Sequence, residues 1–217
     1  DDARNALEVE ESILGPRQGI GNDILDNFGP IEEAEKIEIN VEGIEDASAI
    51  AEATSLNHLS MNVNRISPDL RYFTTLSELV DLSLSDNCIT SLNGVEFLTK
   101  LENLNVDANR LRSMSPLGDD DCCCFLPSLK TLSMRANHIS SKHLPGCLGE
   151  KSVPNLQVLS LYQNRITSLP LNFLHGMDCL ASLDLGRNRL HDEKSVGKTL
   201  STAQVLTNIV LSQNRLK

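Results

Sequence analysis

Residue types able to do chemistry are sparse in this 217-residue chain, and their spacing matches no familiar catalytic arrangement. His58, His138, His143, His175 and His191 stand at no recognisable catalytic distance along the sequence from a Cys, Asp or Ser. No phosphate-cradling glycine loop, zinc signature or nucleophile elbow occurs. Asp119–Asp121 offer three carboxylates, but consecutive side chains cannot all point inward, and no other ligands are spaced to complete a shell. Cys122–Cys124 are adjacent, a poor geometry for disulfides. They also lack the basic or amphipathic neighbours that accompany lipidation. The stretch 118–127 that holds both runs reads as an inserted surface loop. These observations predict no enzyme, no metal and no cofactor. One pattern does carry chemistry. An Asn inside an aliphatic run is followed by Arg at Asn64, Asn109, Asn164, Asn188 and Asn214, as in LSLYQNRITSLP at 159–170. A carboxamide both donates and accepts hydrogen bonds, and a guanidinium recognises carboxylates.

The elements that position these residues follow from an internal repeat. The template L-x-x-L-x-L-x-x-N-x-L, with any aliphatic at L, starts at Leu56, Leu79, Leu101, Leu129, Leu156, Leu180 and Leu206. Its ninth place is Asn64, Asn87, Asn109, Asn137, Asn164, Asn188 and Asn214. A weaker copy starts at Ala34, with Ile37, Ile39 and Ile44 in register and Glu42 where Asn is expected. The L-x-L alternation predicts a short strand with one apolar face. Spacings of 22 to 28 residues leave room for a turn and a return segment before the next strand, so the strands stack in parallel. After each strand the chain turns inward and buries backbone polar groups, which must be paired. Stacked carboxamides can bridge the turns of neighbouring units.

Composition bounds the rest. Apolar residues make up 40% of the chain and aromatics 3%, so aliphatics must fill the core. No apolar run approaches the roughly 18 residues of a membrane span. The net charge is −11, and residues 1–33 hold −7 of it; this argues against nucleic acid or an anionic membrane as partner. That segment, with Gly15-Pro16, Gly19, Gly21 and Gly29-Pro30, reads as an acidic mobile tail with one helix over Ala3–Leu14. Asp46–Ala53, with Asp46 as N-cap, is expected to be a return-side helix. No Cys-x-x-Cys pair occurs, and the six cysteines read as reduced thiols of an intracellular protein.

The repeat resembles the leucine-rich repeat family over residues 34–217. The resemblance implies an α/β solenoid, a curved horseshoe with a parallel sheet on its concave side and a helical or irregular convex side. ITSLNGVEFLTKLENL at 89–104 resembles the SDS22-like intracellular subclass, 166–180 a typical 24-residue unit, and 190–206 the longer units of ribonuclease inhibitors. Extracellular members usually carry cysteine-rich caps; no Cys precedes 88 or follows 179, which supports an intracellular, cytoplasmic or cytoskeleton-associated location. The last unit reaches Leu216-Lys217 without a polar cap, so either more chain or a partner is expected over that edge.

In such a horseshoe the places between the leucines face outward from the concave sheet. Tyr and Arg dominate interface energetics, so Arg135, Tyr162 and Arg187 are the expected partner-binding anchors, with Asp107 and Asp184 selecting charge. Tenth-place Arg65, Arg110, Arg165, Arg189 and Arg215 form a basic rim. The function implied is non-catalytic protein–protein recognition by a scaffold or adaptor. Regulation of a phosphatase or GTPase, or adaptor work in the cytoskeleton or axoneme, are the alternatives. The residues do not fix an oligomeric state.

Overall fold

The computed structural model describes residues 18–118, 124–149 and 152–217. Eight three-residue strands, one from each unit, follow the L-x-L positions. They are β1 (Lys36–Glu38), β2 (His58–Ser60), β3 (Asp81–Ser83), β4 (Asn103–Asn105), β5 (Thr131–Ser133), β6 (Val158–Ser160), β7 (Ser182–Asp184) and β8 (Asn208–Val210). They form one open parallel sheet in chain order. The architecture is a leucine-rich-repeat solenoid.

Register is set by the fourth-place aliphatic. Ile37, Leu59, Leu82, Leu104, Leu132, Leu159, Leu183 and Ile209 align across the sheet. Seven of these are at most 2% exposed, whereas Ile209 on the outermost strand is 42% exposed. Leucines at the first place and aliphatics at the sixth and eleventh complete the rungs of the second to seventh units; Ala34 of the first unit and Leu206, Leu211 and Leu216 of the last are only partly buried. Phe73, Phe173 and Met177 add bulk from the return side.

That return side is mostly tight 3-10 turns, at Ser48–Glu52, Arg71–Phe73, Val95–Phe97 and Ser141–His143. The first three lie in units of 22 or 23 residues, which favour such turns because a 3-10 turn covers about 2 Å per residue against about 1.5 Å for an α-helix; Ser141–His143 lies in a 27-residue unit. The expected helix over Asp46–Ala53 is accordingly a five-residue 3-10 turn, with Asp46 Oδ1 accepting from the Ser48 N–H at 2.8 Å. Among the described residues the sequence affords two α-helices, α1 (Asn22–Leu25) and α2 (Glu193–Leu200). α2 lies in the unit that resembles ribonuclease-inhibitor repeats; Asp192 caps it by accepting from the Ser195 N–H.

Residues 18–33 differ from the expected mobile tail. The Gln18 carbonyl accepts from Glu45 and Asp46 N–H groups at 2.8 and 3.1 Å, and Gly19 pairs with Asp46 in parallel. Ile20 is buried, and Ile24, Leu25, Phe28 and Ile31 pack on the core. The first unit would otherwise expose the apolar side of its rung, and these side chains, spaced among the acids, cover it. The helix expected over Ala3–Leu14 lies outside the described residues. The 118–127 segment is likewise not wholly a surface loop, because Cys124 and Leu126 are fully buried; Asp119–Cys123 lie outside the described residues.

Leu132 sits on the central rung with no exposed surface. Leu132→Ala should lower the unfolding free energy by about 2–5 kcal/mol in urea titration, the range for a buried Leu that leaves a cavity.

Candidate functional site

What the sheet presents outward depends on how each unit turns after its strand. The eighth place is left-handed in all eight units, with φ from 51 to 66° at Val41, Val63, Asp86, Ala108, Ala136, Gln163, Arg187 and Gln213. That bend sends the ninth-place Asn inward. Each carboxamide oxygen accepts the eleventh-place N–H of the preceding unit at 2.9–3.0 Å, from Ile44 to Asn64 through Leu190 to Asn214. Each Nδ2 donates to the preceding unit's sixth-place carbonyl at 2.8–2.9 Å. Tenth-place N–H groups donate to the eleventh-place carbonyl of the preceding unit at 2.8–3.0 Å. Both polar groups of every buried turn residue from Ile44 to Leu190 are thereby paired.

A second tier, not anticipated from the sequence, lies on the outward face at the seventh place. Asn40 Oδ1 accepts from the Asn62 N–H and Ser60 Oγ, and Asn62 Oδ1 from the Ser85 N–H and Ser83 Oγ. Asp107 Oδ1 does the same with the Arg135 N–H at 2.6 Å and Ser133 Oγ at 2.7 Å. Asp184 Oδ1 accepts from the Gly186 N–H at 2.9 Å. Asp107 and Asp184, expected to select a partner by charge, therefore each commit one oxygen to the sheet itself.

Arg135, Tyr162 and Arg187 come together. The Arg135 and Arg187 guanidinium carbons lie 4.9 and 5.7 Å from the Tyr162 ring centroid. Arg187 Nε donates to Gln213 Oε1. Gly186 makes room for the ring: a Cβ there would meet Tyr162 Cδ2 at 3.0 Å. Arg65, Arg110, Arg165, Arg189 and Arg215 are all exposed. Among the described residues only Arg65 of this rim has an ion pair, with Glu45 at 3.5 Å.

A groove of about 510 Å3 crosses the other part of the face, over β1–β5. Third- and fifth-place side chains line it, mostly small and polar: Ser60, Ser83, Asn103, Asn105, Thr131 and Ser133. At its first strands Lys36 pairs with Glu38 at 2.8 Å, and His58 Nδ1 with Asp81 Oδ2 at 2.5 Å. Asn103 also donates to Asp81. The Glu38 carboxylate raises the Lys36 pKa, through the hydrogen bond first and the charge second. Strand alternation puts the third place on the same face as the fifth, and that is the signal in the sequence for these lining residues. Among the described residues no cluster of three or more His, Cys, Asp or Glu is placed to hold a metal ion. No helix there is long and apolar enough to cross a membrane.

The family described as "Leucine Rich repeats (2 copies)" matches residues 154–196. Podocan-like protein 1 of Mus musculus is 36% identical over 142 residues, covering 61% of this chain and 23% of its own length. A protein phosphatase 1 regulatory inhibitor subunit homologue from Arabidopsis thaliana is 26% identical over 147 residues, covering 66% of this chain and 41% of its own. Among solved structures, an internalin from Listeria monocytogenes superposes with a TM-score of 0.65 at 27% identity, covering 81% of this chain and 47% of that one. The chain thus spans less than half of each of these relatives.

Since Asn40 and Asn62 do with a carboxamide what Asp107 does with a carboxylate, Asp107→Asn should keep stability within about 0.5 kcal/mol. Asp107→Ala should cost about 1–2 kcal/mol, because the Arg135 N–H loses its acceptor. Denaturant titration of the two variants checks this; equal losses would show that the charge, and not the acceptor, matters.

Proposed function

We propose that this chain is a non-catalytic recognition module that holds a protein partner against the outward face of its sheet. Leucine-rich-repeat solenoids are protein-interaction modules, and the observation that carries the reading here is the groove over β1–β5. Over β3–β5 its floor is largely small polar side chains, so a partner's backbone or helix can approach closely there, while Lys36, Glu38, His58 and Asp81 stand at its first strands. Most of its hydroxyls and carboxamides keep a donor or acceptor available to a partner. The larger groups, Arg135, Tyr162 and Arg187, stand beyond the groove's far edge and suit the role of anchors.

A more specific form of the reading is regulation of a phosphatase. It is supported by the SDS22-like unit at 89–104 and by likeness to the Arabidopsis phosphatase regulatory subunit. The proposal also puts the chain inside the cell, in keeping with thiols at Cys88, Cys147 and Cys179 that are not in disulfides.

A photo-cross-linking residue placed at Asn105, in the groove, should trap one recurrent protein from native extract. The same residue at Leu171, exposed on the return side, should not. Ser83→Arg with Ser133→Arg, which fills the groove, should abolish trapping at Asn105. Equal trapping from both faces would contradict the reading.

A further inference from the structure

We propose that Arg135, Tyr162 and Arg187 form a clamp for two neighbouring carboxylate side chains on an extended acidic segment of the partner. This rests on the outward-face reading above and specifies the chemistry of what binds there.

Stacking over a ring occupies the face of a guanidinium and leaves its in-plane N–H donors available. Arg187 uses Nε on Gln213. Among the described residues neither Arg135 nor Arg187 has a carboxylate partner. The ring holds both forks in place, and Gly186 sets the ring. A shared ring contact on two long side chains lowers the entropy cost of fixing them on a ligand. Planar forks bind carboxylates in bidentate fashion.

The surroundings are mostly cationic, although Asp184, at the fifth place, lies beside Gly186 and the ring and gives one oxygen to the Gly186 N–H. From the fourth unit to the eighth, places seven to ten hold six arginines (Arg110, Arg135, Arg165, Arg187, Arg189 and Arg215) and a single acid, Asp107. Asp107 already accepts from the Arg135 N–H. This positive edge belongs to a chain of net charge −11. A broadly acidic partner is repelled elsewhere, so capture depends on where its acids sit.

The same edge is short of acceptors. Ser60, Ser83 and Ser133 each donate to a side-chain oxygen at the preceding unit's seventh place. At Ser160 that place is Arg135, and the Ser160 hydroxyl is left unpartnered. The internal run of acceptors stops where the clamp begins. Arg135 and Arg187 arise from units two strands apart, about 10 Å at the backbone. An extended chain advances about 3.3 Å per residue and its alternate side chains share a face, so acids two residues apart, about 7 Å, present their carboxylates to both forks from one side. The rest of such a segment can continue over β5 into the groove.

The test is a peptide-display selection of random nonapeptides on the full chain. The wild type should enrich peptides with Asp or Glu pairs two residues apart. Arg135→Gln with Arg187→Gln should lose that enrichment, lowering affinity for a selected acidic peptide at least tenfold. Arg135→Glu with Arg187→Glu should select basic pairs instead. Tyr162→Phe, which keeps a ring, should retain at least half of the wild-type affinity, whereas Tyr162→Ala should not. Both arginines are exposed, so the thermal melts of the charge variants should coincide with the wild type and exclude misfolding. Wild-type selection without acidic enrichment, or acidic peptides that bind the Gln pair as well as the wild type, would overturn the clamp. Trapping at Asn105 reads the groove separately: if it persists while selection is not acidic, the clamp alone fails.

Discussion

Everything in this molecule depends on pairing the backbone groups that each unit buries as it turns off its strand. The eleventh-place aliphatic must enter the core, and it takes its N–H and C=O with it. In water those groups would be solvated; inside they need partners or they cost several kcal/mol per unit. The following unit supplies both, with its Asn carboxamide and its tenth-place N–H. Stability therefore resides between units more than within them, as expected for a quasi-one-dimensional stack. The same carboxamides also brace their own turns, as when Asn87 Nδ2 donates to the Leu84 and Ser85 carbonyls, but the buried eleventh-place groups are paired only across units.

The same bend shapes the outward face of the sheet. Because the left-handed eighth place throws the ninth residue inward, the third, fifth and seventh places are left as the outward surface. The second tier, with Asn40, Asn62 and Asp107 as acceptors, then ties adjacent strands at the point where a partner would lie. Rigidity there favours selection by shape and charge. The face is divided: small polar groups floor a groove over β1–β5, and bulky cationic groups stand over β5–β7. A partner that touches both halves meets complementary demands, close backbone approach in one and anionic side chains in the other.

Much of this was legible in the residues. Leu at the first, fourth and sixth places and Asn at the ninth gave the strands and their pairing order, because a period of 22 to 28 residues admits little else. Arg135, Tyr162 and Arg187 could be singled out because they interrupt a row of small residues. Other features were hidden for physical reasons. Residues 18–33 look like a solvated acidic leader by charge count, yet Ile20, Ile24, Leu25, Phe28 and Ile31 suffice to cover the first rung. Helix propensity in Asp46–Ala53 was overridden by a unit too short for an α-helical return. That Asp107 would spend an oxygen on the Arg135 N–H depends on atomic geometry that a pattern of residue types does not encode.

The most direct test of the carboxamide stitch is amide exchange in Asn164→Ala. Asn164 Oδ1 accepts the Ile139 N–H at 3.0 Å across a 25-residue separation. If the carboxamide is what holds that turn, exchange at Ile139 should quicken by about tenfold to a hundredfold, equivalent to about 1–3 kcal/mol. An Ile139 amide exchanging at the wild-type rate in this variant would contradict it.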